Sequence, residues 1–317
     1  MDKRIVIATL VLLSGITACS DGNSASQSVV ETTVRLEGSI GQTTRGVIGS
    51  GYGEDLAVVF VRQDESPVSV GGSYGAWGVH KAVRRGGAGN RPIIFAEPQP
   101  YPSDGRTVRL HGVYPAVAED AAGKGTGKVV FTVDGITDIM ATGLLTGTGY
   151  VPLRTCMFRH LLTQVRPVCY SDRPDEWGTV VKIEAVNVHT RRELDCGEEV
   201  PRLDDISSGT DIRSVAVQDI AGLAIPVVEE GGELPEAQGY ILLPASSLPL
   251  QLEVTTTKDG CGNAVETVSR VSVSVEGGFL PGKRHVVSLF FTDGQKIQAT
   301  TVGVEQWTDR DAGEIPI

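Results

Sequence analysis

The sequence predicts an all-β fold, and three observations indicate it. Short runs rich in Val, Ile and Thr recur along the chain, and turn residues separate them, with 39 Gly and 16 Pro in 317 residues. Several of these runs alternate apolar with polar side chains, which is typical of half-buried antiparallel strands. Amphipathic helices do not alternate with the runs, so a parallel α/β sheet is disfavoured.

The N-terminus is predicted to be a lipoprotein signal peptide. Lys3 and Arg4 give a positive tip, residues 5–13 are almost entirely apolar, and small residues precede Cys19, which is the layout of a secretory signal. The apolar run falls short of the roughly 20 residues that span a bilayer, which disfavours a transmembrane anchor. A small residue followed by cysteine resembles a bacterial lipobox, which implies cleavage before Cys19 and acylation of that residue. An ordinary signal peptide with an unrelated cysteine is the alternative.

Acylation at Cys19 would tether the mature chain to a membrane, because two or three acyl chains exceed the two signals needed for stable anchoring. We therefore predict a signal peptide at residues 1–18. Residues 19–28 are rich in Ser and other small polar residues, and we predict that they form a flexible tether between the lipid and the fold.

The predicted strands follow the tether. The first is residues 29–36, where alternate side chains from Val30 to Leu36 share one face. Residues 56–61 are nearly all apolar, which is typical of a strand buried on both sides. Residues 156–165 fit a helix or a strand equally well. The other predicted strands are 93–96, 107–113, 128–133, 179–188, 212–217, 240–244, 249–256, 267–275, 285–291 and 297–304.

A stretch rich in Gly and Thr around residues 143–155 predicts a domain boundary. On this basis we expect an N-terminal β-sandwich at residues 29–150 and a C-terminal β-sandwich at residues 151–317.

Four of the five cysteines remain once Cys19 is assigned to lipid, and an even number in an exported chain permits two disulfides. We favour Cys156–Cys169 and Cys196–Cys261 among the three pairings. Free buried thiols are the alternative. A zinc site at Cys156, His160 and Cys169 would lack paired CxxC or HxxxH ligand spacing, so no metal is expected.

Four segments carry motifs that are specific in their order and spacing. They are 101–115, a turn and an alternating strand that ends in Tyr-Pro; 137–141, Thr-Asp-Ile-Met-Ala; 158–162, Phe-Arg-His-Leu-Leu; and 278–285, Gly-Phe-Leu-Pro-Gly-Lys-Arg-His, followed by an alternating strand and Trp307. Together they resemble the fimbrillin family of type V pilus subunits, particularly its Mfa-like branch. His285 departs from the family pattern, which has Tyr there. The resemblance extends from about Val29 to the C-terminus.

The resemblance implies a fold of two transthyretin-like antiparallel β-sandwich domains in tandem behind a lipoprotein signal peptide. This agrees with the strand prediction. The motif residues themselves indicate structural roles: Gly105 and Gly282 suit turns, Phe158 and Trp307 suit core packing, and His160 suits a buried, hydrogen-bonded side chain.

The resemblance also implies how such a subunit is assembled. In the family, a trypsin-like protease cuts after an arginine near the start of the first domain, and a strand of a neighbouring fimbrial subunit replaces the N-terminal strand. Arg45, followed by Gly46, stands at that position, and Arg35 is the weaker alternative. The other interpretation is that Arg45 is a surface residue in a loop that is not cut. Residues 298–317 are the candidate donor strand. The implied location is the outer membrane, through lipid on Cys19, and the cell surface or fimbrium, with a host or bacterial surface receptor as a further partner.

Other function classes have little support. Residues 123–128 approach a phosphate-binding loop, but Ala122 stands where its first glycine belongs and Val129 where Ser or Thr is required. We therefore expect no enzyme and no cofactor. The formal net charge of −11 and the lack of a long Lys/Arg run disfavour nucleic acid. The serious alternative is a surface-tethered lipoprotein that binds glycan or host protein without polymerising, with Tyr74 and Trp77 as exposed aromatic contacts.

Overall fold

The computed structural model describes residues 31–41, 48–67, 72–118, 121–229, 232–260, 263–293 and 296–306. The predicted signal peptide and tether lie outside these residues, as do Cys19, Arg45, Gly46, Cys261 and Trp307. The described part of the chain consists of twenty β-strands and two short 3₁₀ turns, which confirms the all-β prediction. It includes no helix of the length and apolar character needed to cross a membrane.

Nine strands make up the N-terminal half. They are β1 (Leu36–Ile40), β2 (Leu56–Asp64), β3 (Gly78–Arg84), β4 (Arg91–Phe95), β5 (Val108–Tyr114), β6 (Lys128–Thr132), β7 (Met140–Ala141), β8 (Leu145–Gly147) and β9 (Thr155–His160). Eight of them form one sheet in the order β2-β3-β4-β1-β9-β7-β5-β8, and β5 also pairs with β2, so seven strands close into a ring. The apolar cluster inside it includes Leu36, Phe60, Leu110 and Phe158.

Eleven strands make up the C-terminal half. They are β10 (Leu162–Ser171), β11 (Thr179–His189), β12 (Arg191–Asp195), β13 (Asp204–Asp205), β14 (Ile212–Ala216), β15 (Leu223–Ala224), β16 (Ile241–Pro244), β17 (Leu250–Gly260), β18 (Asn263–Val273), β19 (Lys283–Phe291) and β20 (Ile297–Gln306). One sheet has the order β16-β10-β19-β20, and the other has the order β14-β11-β17-β18 with β15 beside β11. Their facing side chains, such as Val165, Ile183, Val254 and Leu289, share one buried cluster, so the two sheets form a sandwich.

A third, small sheet connects the halves. It has the order β13-β12-β6, and β12 pairs antiparallel with β6 from Arg191↔Thr132 to Asp195↔Lys128. A separate buried cluster beside it includes Phe131, Leu194 and Leu242. The division at residue 150 stays a prediction; β9 follows that residue and joins the first sheet, between β1 and β7.

The first strand lies later in the chain than predicted. Val34 and Leu36 are buried as expected, but Thr32 is exposed, and the regular strand runs from Leu36 to Ile40. Gly38 lets the strand continue because its missing side chain leaves room for Ile93 and the Cys156 thiol. The ambiguous window at 156–165 consists of strand residues of β9 and β10 on either side of Leu161.

The predicted Cys156–Cys169 disulfide is wrong. Cys156, Cys169 and Cys196 are free and buried, and each belongs to a different apolar cluster. The chain leaves the N-terminal sheet at Leu161, so residues 156 and 169 face separate cores despite their short separation. Cys196 is likewise a free thiol, and its predicted partner Cys261 lies outside the described residues. Burial raises the pKa of each of the three thiols to about 12.

The motif residues that the structure describes have the structural roles expected of them, and the core role of Trp307 stays a prediction. Gly105 and Gly282 have φ of 79° and 65°, where a residue without a side chain is favoured. The Phe158 ring is buried edge-on against Phe60, with 6.2 Å between centroids. His160 is buried and hydrogen-bonded to Asp138. These motifs therefore specify the fold.

Candidate functional site: the N-terminal segment and its slot

Residues 31–41, here called the N-terminal segment, lie between β4 and β9 and are hydrogen-bonded on both sides. β1 pairs antiparallel with β4, with Leu36 opposite Ile93, and parallel with β9, with Ile40 opposite Phe158. The pairing continues beyond β1, because Val34 N donates to Gln99 O at 2.8 Å and Gly41 N donates to Phe158 O at 2.8 Å. The segment therefore fills a slot in the sheet.

Alternate side chains of the segment fill the core beneath this slot. Val34, Leu36 and Ile40 are 4%, 3% and 5% exposed, while Arg35 and Glu37 face outward. Burial of one such aliphatic side chain stabilises a fold by about 1.5–3 kcal/mol relative to leaving it in water. Three of them make the segment an integral part of the N-terminal core.

Gly38 occupies a position in the slot that leaves no room for a side chain. A Cβ added there would lie 2.8 Å from Ile93 Cδ1 and 3.4 Å from Cys156 Sγ. An alanine would require the end of the Ile93 side chain to move. A branched side chain would need more space than a close-packed core provides.

Arg84 lies buried beneath Gly38, with its guanidinium surrounded by backbone carbonyls. Its Nε donates to Gly38 O at 2.9 Å, and its terminal nitrogens donate to the carbonyls of Arg85, Gly87 and Gly89 at 3.0 Å each. Burial lowers the pKa of Arg84, and the nearby Arg91 lowers it further. A buried cation needs such partners to offset the loss of water, so the carbonyl at position 38 is part of its solvation.

The outer side of the segment borders a surface groove of about 710 Å³. The groove is lined by residues of the segment and its neighbours, among them Arg35, Glu37, Ile94, Pro98 and Arg154. Ile94 is half exposed there, at 50%. The outer face of the segment is therefore reachable from solvent, whereas its inner face is not.

Of the two predicted processing sites, the structure describes Arg35 but not Arg45. Arg45 and Gly46 lie outside the described residues, in the connection from Gly41 to Ile48. Ile48 is buried in the N-terminal core. Arg35 has an exposed side chain, but its backbone lies between the hydrogen-bonded residues Val34 and Leu36. A protease would have to unpair the segment before it could cut at Arg35.

The predicted aromatic contacts are not an exposed pair. Trp77 is buried in the cluster between the halves, and a Cβ added at Gly127 would lie 2.4 Å from its Nε1. Tyr74 is half-buried, and the Arg109 guanidinium lies 3.6 Å from its ring centroid. Trp77 as an exposed contact is therefore wrong, because its ring completes a core; the alternative of a loop residue packed onto the sandwich is confirmed for it.

A second cleft, of about 440 Å³, opens where β11 and β13 approach the loop that follows β16. Its polar wall contains His189, whose Nδ1 lies 2.6 Å from Asp205 Oδ2, and Arg192, whose Nη1 lies 4.0 Å from the same oxygen. Its apolar wall includes Phe279 and Leu248, which is 72% exposed. The arrangement suits a ligand with both polar and apolar surface.

This cleft and the pair of Gly38 and Arg84 leave no signal in the sequence pattern, because each joins residues far apart in the chain. Within the described ranges, no three His, Cys, Asp or Glu side chains are grouped so as to hold a metal ion.

No family model matches the chain, and no curated protein matches it. Solved structures with a similar fold include a candidate cell adhesion protein from Bacteroides uniformis, with a TM-score of 0.55 and 16% identity over 87% of this chain and 99% of that one. Another, from Bacteroides ovatus, has a TM-score of 0.56 and 13% identity over 89% and 99%. A fimbrial protein from Bacteroides vulgatus has a TM-score of 0.50 and 11% identity over 88% and 100%. The chain shares its overall fold with these proteins.

Proposed function

We propose that this protein is a structural subunit of a type V fimbria, in a shaft, tip or accessory position, and that it supports cell adhesion. It would belong to the fimbrillin family and have two transthyretin-like domains. It would reach the outer membrane as a lipoprotein acylated at Cys19. The four motif segments and the fold shared with a fimbrial protein support this assignment.

The observation that carries the proposal is the position of the N-terminal segment. It fills a slot between β4 and β9, and the connection that follows it contains Arg45. Cleavage by a trypsin-like protease after Arg45 would leave the segment held by non-covalent contacts: hydrogen bonds, three buried side chains and the ion pair of Glu31 with Arg154. It would also separate Cys19 and its lipid from the rest of the fold.

Departure of the segment would create an acceptor for another strand. The facing edges of β4 and β9 would lose their backbone partners, and an open edge of this kind pairs readily with an added strand. The pockets of Val34, Leu36 and Ile40 would take the apolar side chains of the incoming strand, which is β-strand addition. Other fimbrial subunits are the expected partners.

Limited proteolysis tests the proposal. Trypsin should make one preferred cut in the purified full chain, creating a new N-terminus at Gly46, and SDS-resistant ladders should follow when the cut chain is mixed with other fimbrial subunits. The Arg45→Gln variant should show neither, while the matched Arg35→Gln variant should behave as the parent does. Ladders from Arg45→Gln, or preferred cutting elsewhere without ladders, would contradict the proposal.

The second cleft favours one other candidate, a tethered lipoprotein that binds glycan or host protein without polymerising. Its polar wall of His189, Arg192 and Asp205 faces apolar side chains, as in many ligand sites. Glycan-array binding that is lost in Arg192→Gln, in a chain that trypsin does not convert into ladders, would favour this candidate instead.

A further inference from the structure

We infer that the slot of the N-terminal segment selects an incoming strand by a glycine at the position of Gly38, within the pattern apolar-x-Gly-x-apolar. The inference rests on the proposed strand exchange and specifies which strands can take part in it. In the present occupant the pattern is Leu36-Glu37-Gly38-Ser39-Ile40.

The packing around position 38 excludes a side chain from the strand that fills the slot. The side chains of Leu36 and Ile40 each fill an apolar pocket. Between them, a Cβ on the strand would meet Ile93 Cδ1 at 2.8 Å and Cys156 Sγ at 3.4 Å. The slot therefore has two pockets and no space for a side chain midway between them. It accepts a strand that has glycine at this position and disfavours a strand that has a branched side chain there.

Arg84 independently requires a backbone carbonyl of the strand at position 38. Three of its hydrogen bonds go to Arg85, Gly87 and Gly89, which follow it closely in the chain and hold the guanidinium in place. The fourth requires a strand carbonyl at the position of Gly38 O, 2.9 Å from Nε. A side chain that pushed the incoming strand outward would leave that buried N–H without an acceptor, which is costly.

The C-terminal candidate donor of this chain does not carry the pattern. Gly303 has Thr301 and Glu305 two residues away on either side, and Gly313 has Asp311 and Ile315. The occupant that fits the slot is therefore a strand from a different subunit. That strand has a glycine with an apolar residue two positions before it and another two positions after it. A filament of this chain alone, joined through residues 298–317, does not meet the requirement.

Peptide exchange on the full chain tests the inference. Residues 42–47 are replaced by the site of a specific protease, so that release of the segment does not depend on Arg45. After cutting, a maleimide probe reports whether Cys156 is accessible, because this thiol lies directly beneath Gly38; Cys169 and Cys196, in other clusters, serve as internal controls. Synthetic peptides of residues 31–41 then compete for the slot, with a fluorescent copy reporting exchange.

The parent peptide should restore protection of Cys156. A Gly38→Val peptide should bind about ten- to a hundredfold more weakly, since overpacking a core of this kind has a cost of that size. A Gly38→Ala peptide should lie between them. The matched Glu37→Val peptide adds the same side chain on the exposed face and should compete as well as the parent.

Equal competition by the Gly38→Val peptide would overturn the glycine requirement, and a segment that neither leaves nor exchanges after cutting would overturn strand exchange as well. The first outcome differs from failure of the proposed function. If trypsin does not cut the parent chain at Arg45, the fimbrial assignment fails, while the ranking of the peptides in the protease-site variant still decides the inference.

Discussion

Asp138 Oδ2 lies 2.5 Å from His160 Nδ1, and both residues are buried. This pair joins two of the motif segments, because Asp138 precedes β7 and His160 ends β9, where Met140 is opposite His160. A third motif meets them, since Gly282 N donates to Leu162 O at 2.8 Å. The three segments therefore come together where the chain passes from the first sheet to the second half, next to the slot wall formed by β9.

Asp138→Ala should lower the free energy of unfolding by about 1–3 kcal/mol, because it leaves the buried His160 ring without this partner. Denaturant unfolding measures the change. Asp175→Ala, at an exposed position, is the matched control and should stay within about 0.5 kcal/mol of the parent. Equal effects of the two substitutions would show that the Asp138–His160 pair contributes nothing to the free energy of unfolding.

Arg84→Met should destabilise the protein by about 2–4 kcal/mol, because four backbone carbonyls lose a charged donor in a buried place. The neighbouring Arg85 is exposed and pairs with Asp55, and exposed pairs contribute about 0–1 kcal/mol. Arg85→Met is therefore the control, measured by the same unfolding experiment. An Arg84→Met variant as stable as the parent would contradict the role assigned to the Arg84 guanidinium.

His111 should make stability depend on pH. Burial lowers the pKa of His111 to about 4 in the fold, against 6.5 ordinarily. The unfolded chain therefore binds the proton more readily between these values, so the contribution of His111 is complete above about pH 6.5 and is lost as the pH falls toward 4. The shift corresponds to at most about 3 kcal/mol.

Urea unfolding of the parent and of His111→Gln at pH 7 and pH 4.5 measures this contribution. The parent should lose more stability than the variant over that interval. An equal loss in both proteins would mean that His111 is not responsible for the pH dependence.

The three buried thiols should resist alkylation at neutral pH. Burial holds the pKa of Cys156, Cys169 and Cys196 at about 12, so almost no thiolate is present to react. Peptide mapping after iodoacetamide treatment should find these residues unmodified in the native protein and modified in urea. Recovery of a Cys156–Cys169 linked peptide without reductant would contradict the separate cores.

The local sequence pattern was enough to predict the class of fold and most of its strands. The sequence pattern does not predict β3 or β12. The apolar residues of β3, Gly-Val-His-Lys-Ala-Val-Arg, do not alternate with polar ones, and β12, Arg-Arg-Glu-Leu-Asp, is largely polar. β12 has only Leu194 fully buried and is positioned by its pairing with β6. Such pairings join distant residues and leave no local signal.

The candidate site could be predicted only in part. Alternation identified Val34 and Leu36 as core residues of a first strand, and the resemblance directed attention to Arg45. Gly38 and Arg84, by contrast, are far apart in the chain, and a single glycine in a Gly-rich stretch carries no information about what lies beneath it. The disulfide prediction fails for the same reason, because Cys156 and Cys169 are close in sequence but belong to separate cores.

Strand exchange requires that residues 31–41 leave the fold and that another strand takes their place. Mass spectrometry of subunits recovered from SDS-resistant ladders, after the ladders are dissociated by heating, tests it most directly. Copies of this chain in the ladders should begin at Gly46 and lack the N-terminal segment. Ladders whose chains all retain residues 31–41 would contradict it.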